Sequence, residues 1–134
     1  TRIEIGPKDI ENGQVVVVRR DTREKIVVAI DEIGTKLGEI LETIQKDLYA
    51  KAKAFLDDHI SSAVTMEEMK AAVTEKKGFI KAMWCGEETC EDEIKAQTGG
   101  VTSRCIPMEE EQLSDVCVCC GKPAKHMVYW GRAY

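Results

Sequence analysis

The chain opens on an alternation. Ile3 and Ile5 alternate with Arg2 and Glu4, the period of two that turns one face of a strand to a core and the other to water. "GPKDIENG" follows, rich in turn formers, and predicts a turn. "QVVVVRRDTREKIVVAI" sets two β-branched runs either side of the polar residues 20–24. That predicts a β-hairpin with a longish loop and its arginines at the tip. From about residue 31 the period changes. Leu37, Ile40, Leu41, Ile44, Leu48, Ala52, Phe55, Leu56 and Ile60 recur at steps of three and four, the stripe of an amphipathic helix, with Asp31 its expected N-cap. Unbroken to His59, the helix would be roughly 45 Å long.

"TMEEMKAAVTEKKG" predicts a second, shorter helix, opened by Thr65 and Glu68 as a capping box and closed before Gly78. Beyond Gly78, "FIKAMW" reads as a strand running into "CGEETC", "EDEIKAQTGG" as a short helix, and "VTSRCIP" and "KHMVYW" as strands. The fold class is α+β in two parts. Residues 1–64 carry strands and the long connecting helix, and residues 65–134 form a small α/β module. The opening strand is expected to have pairing partners upstream.

Charge sharpens this division. The 134 residues are 32% charged with net charge −5, which suits a soluble globular protein and gives no global reason to expect nucleic-acid binding. The balance is uneven. Residues 1–30 carry six basic and five acidic side chains, whereas residues 85–134 carry nine acidic and five basic ones, so an anionic partner would favour the N-terminal end. Apolar runs such as Val15 to Val18 are too short to span a membrane, and the start does not read as a leader. A cytoplasmic, reducing setting without a membrane is therefore expected, where clustered cysteines more often bind metal or catalyse than form disulfides.

The six cysteines include two close pairs. Cys85 and Cys90 make C-x4-C, Cys117 and Cys120 make C-x2-C, and 26 residues separate the pairs. Two tight turns, each offering two thiolates, are the layout of a structural four-thiolate zinc site, and Gly86 and Gly121 directly follow ligands. A redox C-x-x-C should open a helix, but Cys120 runs into Gly121, Lys122 and Pro123, which is a turn. Catalytic zinc would keep an open position, normally among His or carboxylate ligands. Cys105 and Cys119 fall outside the set and read as small buried apolar residues, although Cys119 could compete for its neighbour's ligand position. His59 and His126 have no carboxylate or nucleophile at a telling spacing and read as structural. No nucleotide-loop, zinc-protease or serine-hydrolase motif occurs, so catalysis within these residues is not indicated.

"TRIEIGPKDIENGQVVVVRRDTREK", "WCGEETC", "CVCCGKPAK" and the closing "YWGRAY" closely resemble the C-terminal part of prolyl-tRNA synthetase of the archaeal/eukaryotic-like type. The resemblance covers essentially the whole chain. It implies that residues 1–64 end an α/β anticodon-binding domain and that residues 65–134 form the zinc-containing C-terminal domain. It further implies proline tRNA as partner, contact with the enzyme's own catalytic domain and a homodimeric full-length protein. ATP and Mg²⁺ would act only in the catalytic domain, which is not among these residues, so the chain is not expected to be active alone.

Such a family must read two adjacent guanines in an anticodon. A carboxylate can accept from guanine N1–H and N2–H, and a basic group can donate to O6 and N7. Arg2, Glu4, Lys8 and Asp9 supply both kinds of partner, against the plainer reading of a solvated strand face. Arg19, Arg20 and Arg23 are candidates for phosphate contacts. The acidic C-terminal module suits a scaffold better than a phosphate surface, and the resemblance implies that the Tyr134 carboxylate reaches toward the catalytic centre. The alternative function is a free-standing zinc-ribbon module for protein–protein interaction.

Overall fold

The structure, a computed structural model, describes residues 1–133; Tyr134, with its C-terminal carboxylate, lies outside the described residues. The chain divides into two compact units, residues 1–54 and residues 55–134.

The first unit is a three-stranded antiparallel sheet, β1 (Arg2–Glu4), β2 (Gln14–Val18) and β3 (Lys25–Ala29), in that order. The hairpin stands where the β-branched runs predict it. Val15 pairs with Val28 and Val17 with both Ile3 and Ile26, so these side chains share one face. Helix α2 (Ile33–Asp58) begins in this unit and lays Ile33, Leu37, Ile40 and Ile44 against Val15, Val17, Ile26 and Val28. Each fully buried aliphatic side chain of this kind contributes about 1.5–3 kcal/mol. On the opposite face Arg2, Val18 and Lys25 form one cross-strand row and Glu4, Val16 and Val27 the next.

Three expectations change here. "GPKDIENG" contains a short helix, α1 (Pro7–Glu11). Pro7 suits a first helical position, and Asp9 accepts from the backbone N–H of Gly6 at 2.9 Å. Asp31 is not the cap of α2 but sits within a 3₁₀ turn, Ile30–Glu32, that precedes it. Ile3 and Ile5 are 45% and 54% exposed, because the buried cluster is built from β2, β3 and α2 while β1 lies at the sheet edge. The neighbour of β1 is β2.

The second unit takes in the last turn of α2 and then β4 (Ile60–Ser62), α3 (Met66–Glu75), β5 (Phe79–Trp84), α4 (Glu88–Thr98), β6 (Val101–Cys105) and β7 (His126–Arg132). Its sheet runs β4-β5-β7-β6. β4 and β5 are parallel, which demands a crossover, and α3 supplies it. Residues 55–64 go with this unit because β4 pairs with β5, ten residues ahead of the division drawn from sequence. Met66 and Met69 of α3 and Ile94 of α4 close over Ile80, Ala82, Val101, Val128 and Trp130. Trp130 is fully buried, its indole N–H donates to the Ala82 carbonyl at 3.4 Å, and its ring meets Trp84 edge-on. Thr65 caps α3 by accepting from the Glu68 N–H, while Glu68 reaches back to the N–H of Val64, one residue beyond the expected capping-box partner. Gly78 has φ +151°, and a Cβ there would lie 1.9 Å from the His59 carbonyl oxygen; only glycine lets β5 start this close to β4.

Candidate metal centre and charged strand face

The four paired cysteines converge. Cys85 follows β5, and Cys90 lies in the first turn of α4, its N–H donating to the Glu87 carbonyl at 3.0 Å. Cys117 and Cys120 occupy a turn closed by Cys117 N–H to the Lys122 carbonyl (2.8 Å) and Gly121 N–H to the Cys117 carbonyl (3.1 Å). Gly86 and Gly121 both adopt left-handed φ, +88° and +69°, the conformation these knuckle turns require. The second turn is sewn to the first by backbone bonds from Val118 to the Met83 carbonyl (2.9 Å) and from Lys125 to the Trp84 carbonyl (2.8 Å). The fold of β5 thus brings together pairs that are 26 residues apart.

The Sγ atoms of Cys85, Cys90, Cys117 and Cys120 all lie within 4.8 Å of one another, with Cys85 to Cys90 at 3.6 Å and Cys120 to Cys85 at 3.7 Å. Zn–S bonds of about 2.3 Å in a tetrahedron require sulfur separations near 3.8 Å, so the donor set fits Zn²⁺. Cys85, Cys90 and Cys117 are buried and Cys120 is exposed. Burial pushes the Cys85 and Cys90 thiols up, and a bound divalent cation would offset that penalty. Cys120 is drawn down to about 7, chiefly by the Lys122 backbone N–H. Cys119 is half-buried against this cluster but outside the four, its thiol raised by burial. Cys105 is exposed on β6, an edge strand, contrary to the buried role read for it.

Both histidines have structural partners. His59 Nδ1 lies 2.7 Å from the Phe55 carbonyl and its ring stacks on Phe55, at the end of α2; His126 Nδ1 lies 3.4 Å from Glu110.

In the first unit the charged residues separate into two groups. On the sheet face away from α2, Glu4 accepts from Arg2 at 2.5 Å and from Lys25 at 3.3 Å, and these partners hold its carboxyl below the usual range, Arg2 foremost. Lys25 was not singled out from sequence. The hairpin register, which sets it opposite Val18 in the row of Arg2, is the signal that finds it. Lys8 is exposed on α1, whereas Asp9 is occupied by Gly6 and by Gln14 at 3.3 Å.

Arg19 does not stand at the hairpin tip. It is 6% exposed and donates to Asp21 (2.7 Å) and to Asp47 of α2 (2.6 Å), so that Asp21 is held at about 2 and the guanidinium is pushed further up, by Asp21 first and then Asp47. Arg20 and Arg23, in the turn that follows, are exposed, and Arg23 has φ +69°.

Comparison with known proteins gives these groups a context. Residues 66–134 match the family described as "Prolyl-tRNA synthetase, C-terminal". The chain belongs to this family. Residues 1–40 match the "Anticodon binding domain" family, so the charged strand face falls in one match and the four cysteines in the other. The chain is 64% identical over its whole length to the proline–tRNA ligase of Agathobacter rectalis. It is 59% identical over 99% of its length to that of Lachnospira eligens and 55% identical, over the same share, to that of Clostridium novyi. In each case the chain spans 28% of the relative. It corresponds to the anticodon-binding and C-terminal domain region of the prolyl-tRNA synthetase relatives. Among the described residues no helix is long and apolar enough to cross a membrane.

Proposed function

We propose that the chain serves as the anticodon-reading and scaffolding portion of a cytoplasmic, homodimeric proline–tRNA ligase, with proline tRNA and the enzyme's own catalytic domain as its partners. The whole enzyme would attach proline to its tRNA at the expense of ATP, with ATP and Mg²⁺ bound in that catalytic domain. The observation that carries this reading is the order of the two family matches along a chain 64% identical to one such ligase.

Glu4 is the proposed reader of an anticodon guanine. Its carboxylate is kept ionised by Arg2 and Lys25, and each oxygen has acceptor capacity beyond the one ion pair it makes. Arg2 and Lys8 donate from the flanks, and Asp9, already bonded to Gly6 and Gln14, holds the α1 turn. Arg20 and Arg23 are free to meet phosphates, with Arg19 fastening the hairpin to α2 behind them. Zn²⁺ bound by Cys85, Cys90, Cys117 and Cys120 would lock the two knuckles together. Residues 85–134 carry nine acidic and five basic side chains, and four thiolates around one divalent ion add further negative charge. That module repels phosphate, which favours the scaffold role.

The test is aminoacylation by the full-length ligase with Glu4→Ala, on the native tRNA and on one with an anticodon guanine replaced. A good bidentate base contact is worth about 1–3 kcal/mol of discrimination. The variant should lose most of the preference for the native anticodon, with ATP–pyrophosphate exchange unchanged. Undiminished preference with normal exchange would leave Glu4 a purely structural residue.

A further inference from the structure

A cavity of about 570 Å³ lies in the second unit beside Gly78, between the end of α2, the end of α3, the starts of β5 and β6 and the end of β7. This volume is in the range of small-molecule sites. Its floor is apolar: Ile80 and Val101 are 2% and 1% exposed, and Val73 continues the surface. Phe79, 40% exposed, forms an aromatic wall. Gly78 faces the His59 backbone here without a side chain.

The charge around this floor is one-sided. Residues 55–134 contain fourteen acidic and nine basic side chains, yet among the described residues the cavity is lined by Lys76, Lys77 and Arg132 and by no carboxylate. Lys76 is shared with Asp58, outside the lining, at 3.2 Å. Among the described residues no ion pair engages Lys77 or Arg132. His59 donates Nδ1–H to the Phe55 carbonyl, so it orders the cavity wall and is not counted among the cations. Three cations around an apolar floor, with the described carboxylates outside the lining, are complementary to an anion with a hydrophobic body.

We propose that this cavity binds a small organic monocarboxylate, its aromatic or aliphatic body on Val73, Ile80 and Val101 and its carboxylate between Lys77 and Arg132. The site is distinct from the four-cysteine centre and from the charged strand face of the first unit. It requires no part of the tRNA reading.

The experiment is an NMR titration of the ¹⁵N-labelled 134-residue chain, prepared with zinc, using 4-phenylbutyrate and its uncharged amide as probes. The acid should produce saturable shifts centred on residues 76–80, Val101 and Gly131. The amide should bind roughly tenfold more weakly, because it cannot form the charge-assisted bonds. Lys77→Gln, an exposed substitution, should weaken the acid and leave the amide unaffected, with the remaining spectrum preserved; Lys76→Gln should do the same to a smaller degree because Asp58 already shares that ammonium. Equal affinity for acid and amide would overturn the proposal, as would no saturable shift at millimolar probe or full affinity in Lys77→Gln. Binding that appears only after removal of Tyr134 would make the chain's own terminus the occupant. Much tighter binding of a peptide ending in phenylalanine would assign the cavity to a polypeptide. Either result also overturns the small-molecule assignment.

Discussion

Gly78→Ala tests how the second unit is joined. A Cβ at this position would sit 1.9 Å from the His59 carbonyl oxygen and 2.8 Å from its carbon, both backbone atoms that no rotamer change can move. The residue also has φ +151°, a region in which a side chain adds about 1–3 kcal/mol of strain. Relief of the overlap pulls Phe79 from His59, and the Phe79 N–H donates to the His59 carbonyl at 2.9 Å in a bond that leads into the pairing of Ile60 with Phe79; one such bond contributes about 0.5–1.5 kcal/mol. The sum is about 1.5–4.5 kcal/mol of lost stability. Urea unfolding of the zinc-loaded chain, followed by tryptophan fluorescence from Trp84 and Trp130 in the same unit, reads it directly. A loss under about 0.5 kcal/mol, the range of an ordinary surface substitution, would refute the claim that β4 and β5 approach through this glycine.

Met69 is fully buried and Met108 fully exposed, so Met69→Ala should remove about 2–5 kcal/mol and Met108→Ala no more than about 0.5 kcal/mol in the same urea assay. The Arg19 clasp should show a pH signature. Asp21 is held below its ordinary 3.8 at about 2, so its contribution is present above pH 4 and fades as pH falls toward 2. Hydrogen exchange of the β2 and β3 amides in wild type and Asp21→Asn, compared at equal pH, should therefore differ at pH 5 and converge near pH 2; a constant difference would show that the ion pair does not fasten the hairpin.

The elements that were legible in the sequence are those whose pattern is local. The β-branched runs of β2 and β3, the three-and-four stripe of α2 and the Thr65 cap each depend on near neighbours, and each stands where expected. The cysteine pairs were legible for a related reason, since C-x4-C and C-x2-C are local signals of turn geometry; only their meeting needed the fold. Long-range relations were not legible. Arg19 looks like its neighbour Arg20 in a polar run, and Asp47, 28 residues away, is what makes it a buried clasp. Lys25 joins Glu4 only through the register of a three-stranded sheet. Cys105 is exposed because β6 is an edge, which its apolar character does not encode. The cavity beside Gly78 is assembled from α2, α3, β5, β6 and β7, and no stretch of sequence announces it.

Metal content is the most direct test of the proposed four-cysteine zinc centre. Structural zinc supplies on the order of 10 kcal/mol, comparable with the whole stability of a domain this size, so chelation should abolish the cooperative unfolding of residues 55–134. Elemental analysis of the chain purified without added metal, alongside Cys119→Ser and Cys120→Ser, should find about one zinc per chain in the first two and less than about half in the third. Wild-type protein below half an equivalent, or zinc lost from Cys119→Ser and kept in Cys120→Ser, would contradict the four-thiolate assignment.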